Sequence, residues 1–138
     1  MGDLARPASP TPPPGQPPTT VPDLPPIDAD AIANLRDLNP GDNGEFLREI
    51  VGIYIEDTPK RIAELKACLA SGDTPAFTRA AHTIKGSSAN VGAQALRAVA
   101  ERLELLSRTE GLGGVAQLVA DCEAQFARAE AELRKLSA

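Results

Sequence analysis

Residues 77–92, FTRAAHTIKGSSANVG, decide how this chain is read. Advancing about 100° per residue from Phe77, residues Ala80, Ala81, Ile84, Ser88 and Val91 fall within about 60° of it, as in a helix with one buried stripe. His82, the only histidine in the 138 residues, falls at roughly 140°, near Thr78, Gly86 and Ala89 and away from that stripe. Positions three and four apart share a helix face, so Lys85 lies beside the imidazole as an exposed charge and Gly86 leaves bare backbone next to it. Glycine in a helix interior costs about 1 kcal/mol relative to alanine. A chain that otherwise uses alanine freely accepts that cost where something must approach the backbone. A nucleophilic ring nitrogen, a cation and an unshielded approach fit a landing site for a phosphoryl group. The plainer alternative is a solvated or capping histidine.

Working outward, no segment alternates in the two-residue rhythm of a strand. Asp28 or Asp30 is placed to cap a short helix through Leu38 that ends at Asn39-Pro40-Gly41. Asn43 is placed to cap the next, whose apolar residues Phe46, Leu47, Ile50, Val51 and Tyr54 follow the helical period. Thr58-Pro59 predicts a kink or restart, because proline suits a first helical turn and not an interior. The helix that follows carries Ile62, Leu65, Cys68 and Leu69 and stops at Ser71-Gly72. Thr74-Pro75 opens the histidine helix, which ends near Asn90-Val91-Gly92. Leu96, Val99, Ala100 and Leu103 line another helix. After Gly111-Leu112-Gly113-Gly114, a long last helix carries Val115, Leu118, Val119, Cys122, Phe126, Ala129 and Leu133. Short connections between amphipathic helices predict an all-α fold, an antiparallel helix bundle.

Composition bounds the rest. Ten of the 13 prolines fall in the first 26 residues. That stretch has almost no large apolar side chains, so residues 1–26 are expected to be a disordered Pro-rich tail or linker, leaving 27–138 as the folded domain. Against 19 Asp+Glu stand 14 Lys+Arg, a net charge of −5. No basic stripe forms and aromatics are few, which argues against nucleic acid as a partner. No apolar run approaches the ~20 residues needed to span a bilayer, and the start shows no secretory pattern, so a soluble cytoplasmic chain without membrane contact is expected. Cys68 and Cys122 sit singly in apolar helical patterns and read as core packing. One histidine and no close cysteine cluster leave no ligand set for a metal. The glycines at 111, 113 and 114 read as a helix break, since no strand precedes them and no Gly-Lys-Ser/Thr follows.

The stretch AAHTIKGSSANVGAQALRAVAERL, residues 80–103, resembles the histidine-containing phosphotransfer (HPt) domain of multistep two-component phosphorelays. The family pattern His-x-x-Lys-Gly, then small residues and a glycine before the next helix, is met by His82, Lys85, Gly86, Ser87, Ser88 and Gly92. The segment FLREIVGIYIEDTPKRIAELKACLASGD, residues 46–73, is similar to the helices that precede this motif, and the likeness spans most of 28–138. It implies a four-helix bundle with extra helices, and a carrier that accepts a phosphoryl group on His82 from a receiver-domain aspartate and passes it to another receiver. Lys85, Gly86, Thr78 and Ala89 would then assist and dock the phosphoryl. In some HPt-like domains a Glu or Gln on the following helix hydrogen-bonds the histidine, and the alignment places Glu104 there. Two antiparallel helices hinged near Gly92 bring that part of the chain opposite His82. The alternative for Glu104 is an ordinary solvated glutamate. Partners implied are receiver domains of response regulators or hybrid histidine kinases, with Mg²⁺ supplied by the receiver, no cofactor of the chain's own, no autonomous catalysis, and a monomeric state. Two other readings stay open: a phosphoacceptor domain of a larger, chemotaxis-type or hybrid kinase, and a non-phosphorylated helical adaptor.

Overall fold

The computed structural model describes residues 24–38, 41 and 43–137, and these contain five helices and no strand. They are α1 (Ala29–Leu38), α2 (Glu45–Ser71), α3 (Thr74–Asn90), α4 (Gln94–Glu110) and α5 (Ala116–Leu136). Helices α2 to α5 form an antiparallel four-helix bundle in which α3 packs between α2 and α4, and α5 closes the ring against α4 and α2. The short α1 packs on α2. The core is one cluster that includes Leu47, Leu65, Phe77, Ile84, Leu96, Leu103, Leu118 and Leu133, all essentially inaccessible. Cys122 is buried within it, and burial pushes its thiol up to about 12, so it packs as a small apolar group. Cys68 is half-buried, and both cysteines are free.

Helix starts and stops follow local chemistry with three departures from the sequence reading. The Asp28 carboxylate accepts from the Asp30 amide at 3.0 Å and opens α1. Asn43 does not cap α2. It adopts φ 57°, and Gly44, also left-handed, sits at the N-cap without a side-chain bond. The histidine helix is capped one residue earlier than expected, by Asp73, whose side chain accepts from the Ala76 amide at 3.2 Å. The third departure is the largest: no restart occurs at Thr58-Pro59, and α2 runs through as one 27-residue helix. Its buried residues Leu47, Val51, Tyr54, Thr58, Ile62 and Leu65 stay in phase across the proline, so a single helix buries the whole stripe. Of the tail expected over residues 1–26, positions 1–23 lie outside the described residues, as do Asn39 and Pro40 of the expected stop. Within 24–26, the Pro25 carbonyl accepts a hydrogen bond from the Gln94 side chain at 3.1 Å.

The α3–α4 turn sets the register of the site. Gly92 has φ +72°, and a Cβ there would lie 2.6 Å from the Ala31 Cβ and 3.1 Å from the Asp28 carbonyl oxygen. The chain leading into α1 rests on that bare backbone, the Asp28 amide donating to the Gly92 carbonyl at 2.8 Å. From this hinge α3 and α4 run back antiparallel, so Thr78 of α3 meets Ser107 of α4 at 2.7 Å, and against α2 the Ser88 hydroxyl of α3 meets Tyr54 at 2.8 Å.

Candidate functional site

Helix α3 buries Phe77, Ala80, Ala81, Ile84 and Ser88, which fixes its rotation and turns His82 outward. The His82 side chain is 65 % exposed. Behind it, on α4, Glu104 is 7 % exposed at the edge of the core. Its Oε2 lies 2.9 Å from His82 Nδ1 and 2.7 Å from Arg108 Nη2, while its Oε1 lies 2.7 Å from Lys85 Nζ. One buried carboxylate therefore gathers an imidazole and two cations. Burial alone would raise the Glu104 pKa, but hydrogen bonds from Lys85, His82 and Arg108 outweigh it and hold the carboxyl at about 2. An ionised carboxylate can only accept, so Nδ1 donates in this contact, and in the neutral imidazole the lone pair then lies on Nε2.

The other positions singled out in the sequence divide. Gly86 and Ala89 are exposed on the outer side of α3. A Cβ at Gly86 would meet nothing within 4 Å, so nothing inside the fold requires glycine there. Lys85 is not the exposed charge expected: its side chain is 28 % exposed and its ammonium is committed to Glu104. Thr78 is half-buried, and its hydroxyl bonds the Thr74 carbonyl at 3.1 Å as well as Ser107. That hydroxyl faces α4 rather than the open surface beside the ring. Glu104 is buried rather than solvated. Arg108 escaped the sequence reading, although Glu104 and Arg108 have the i, i+4 spacing of a helical ion pair. Ser107, which bonds Thr78 and the Glu104 carbonyl, carried no sequence signal. Among the described residues no group of three or more His, Cys, Asp or Glu side chains is placed to hold a metal ion, and no helix is long and apolar enough to cross a membrane.

The arrangement presents an exposed imidazole tethered at Nδ1, with two cations against one carboxylate around the tether. Comparisons with known proteins place the chain in a family. The family model described as "Hpt domain" matches residues 49–137. The chain is 32 % identical over 92 residues to Multistep phosphorelay regulator 1 of Schizosaccharomyces pombe, covering 67 % of this chain and 31 % of that protein. It thus spans about a third of that curated relative's length. The crystal structure of histidine-containing phosphotransfer protein B (HptB) from Pseudomonas aeruginosa PAO1 superposes with a TM-score of 0.74 at 26 % identity, over 82 % of this chain and 95 % of that one. The HPT domain of a sensor hybrid histidine kinase from Shewanella matches in fold, with a TM-score of 0.67 at 13 % identity, over 83 % and 95 % of the two chains.

Proposed function

This chain belongs to the Hpt domain family, and on that premise we propose that it is a phosphorelay intermediate whose His82 accepts a phosphoryl group at Nε2 from a receiver-domain aspartate and passes it to another receiver. The observation that carries the reading is the Glu104 contact. By accepting from Nδ1–H it selects the tautomer with a nucleophilic Nε2 and fixes the ring's orientation. In transfer, the Nε2 lone pair attacks phosphorus. The N–P bond forms as the P–O bond to the receiver's aspartate breaks, and the aspartate leaves as a carboxylate. No proton moves at Nε2. The ring keeps Nδ1–H and takes up one positive charge, which the Glu104 carboxylate faces, and the same steps reversed return the phosphoryl to an aspartate.

The partner supplies the remainder. The receiver brings the acceptor aspartate and Mg²⁺, and the exposed strip from His82 through Gly86 to Ala89 gives it a side-chain-poor surface on which to close. The chain acts as a carrier with no catalytic activity of its own, as a monomer in the cytoplasm. The test is to mix it with receiver domains phosphorylated by acetyl phosphate and follow acid-labile label on the chain. Wild type gains label from a competent receiver, His82→Gln stays folded and gains none, and wild type incubated alone with labelled ATP and Mg²⁺ gains none. Undiminished labelling of His82→Gln overturns the assignment.

A further inference from the structure

We infer that Arg108, rather than Lys85, is the cation that contacts the phosphoryl group once His82 carries it. The inference rests on the reading of His82 as phosphoryl acceptor. Its geometry lies in how the two oxygens of Glu104 are shared. Lys85 holds Oε1 and its side chain is 28 % exposed. Arg108 holds Oε2, the oxygen that also faces His82 Nδ1, and its side chain is 60 % exposed. Arg108 Nη2 and the ring are thus two hydrogen bonds apart through a single atom, with the guanidinium at the solvent side of the carboxylate. A guanidinium has five N–H donors in a planar fork. Among the described residues Arg108 bonds Glu104 through Nη2. The remaining donors can meet phosphoryl oxygens while Nη2 stays on Oε2, whereas the Lys85 ammonium would have to leave a buried carboxylate to do the same.

Charge calls for both cations, and exposure divides their roles. Lys85 and Arg108 against Glu104 leave one positive charge over when the imidazole is neutral. Transfer to Nε2 adds a phosphoryl dianion, about two negative charges, and one positive charge on the ring. The cluster then comes to about neutral. Without Arg108 the empty site would be neutral and the loaded site negative. Lys85 in this account is a positioning residue that locks Glu104, and Arg108 is the phosphoryl contact.

The test loads the full chain chemically with phosphoramidate, which needs no receiver, and follows the ³¹P resonance of phosphohistidine against pH. A neighbouring cation lowers the pH at which the phosphoryl takes up its proton. Arg108→Ala is expected to raise that midpoint by about 0.3–0.7 unit, a two- to fivefold gain in proton affinity. Arg108→Lys restores most of the wild-type value and Arg108→Gln does not, with all three variants melting within a few degrees of wild type. An Arg108→Ala midpoint equal to wild type, or a shift seen only in Lys85→Ala, overturns the inference. Failure of wild type to give any phosphohistidine resonance that is absent in His82→Gln would instead remove the reading on which it rests.

Discussion

Gly86 and Gly92 lie on the same motif for opposite reasons, and the contrast separates function from fold at single residues. Gly92 is demanded by the interior, since its φ is positive and the chain entering α1 would collide with any Cβ. Gly86 is demanded by nothing inside, since a Cβ there meets no atom within 4 Å. Gly86→Ala should therefore stabilise the domain by up to ~1 kcal/mol through helix propensity while slowing receiver-driven labelling, because the methyl stands on the approach to His82. A melt and a transfer time course decide it; unimpaired transfer would show that the bare backbone is not used. Glu104 carries a pH signature. Its carboxyl is held at about 2 in the fold against an ordinary 4.5, so as pH falls the unfolded chain takes up this proton first. The stability it contributes is full above about 4.5 and is lost as pH falls toward about 2, on the order of 1–3 kcal/mol. Between pH 6 and 3 the melting temperature of wild type should fall more steeply than that of Glu104→Gln. Parallel curves would mean that the network does not hold the carboxylate ionised.

Among the elements, the histidine helix was the most legible and α2 the least. In α3 the apolar spacing from Phe77 to Ser88 fixes the rotation, and His82 comes out exposed as that spacing requires. In α2 the local rule at Pro59 competed with a stripe of buried residues extending from Leu47 to Leu65, and burial won. A proline in a helix interior forfeits a hydrogen bond to the carbonyl four residues back and costs about 3 kcal/mol, but a stripe that stays in phase on both sides outweighs a single break. Part of that cost should be recoverable. Pro59 is exposed, so Pro59→Ala should raise stability by about 1–2 kcal/mol once the more flexible unfolded chain is counted, a rise of several degrees in melting temperature. A lower melting temperature would show that the proline shapes the packing of α2 instead. The caps were misread by one residue for a similar reason: both Asp73 and Thr74 suit an N-cap, and sequence alone does not say which carboxylate or hydroxyl faces the free amides.

Across the whole molecule, the sequence exposed the class of fold because short turns separate helices with consistent apolar faces. It exposed the histidine because the residue is unique and sits outside the stripe. What it did not expose was the condition of the charges across the α3–α4 interface. Whether Glu104 is solvated or buried, and whether Lys85 faces water or a carboxylate, depends on how closely two helices approach, which no single-helix pattern encodes. Arg108 and Ser107 were missed on the same account, since their partners are defined only once α4 lies against α3. On the proposed function the bundle is a scaffold that holds one ring by Nδ1 and offers Nε2 to a partner. The most direct measurement is ¹⁵N–³¹P correlation NMR of the ¹⁵N-labelled chain after phosphorylation by a competent receiver. The expected result is coupling from phosphorus to a single imidazole nitrogen, Nε2 of His82, with Nδ1 still protonated. Phosphorus bonded to Nδ1, or found on any other residue, would contradict it.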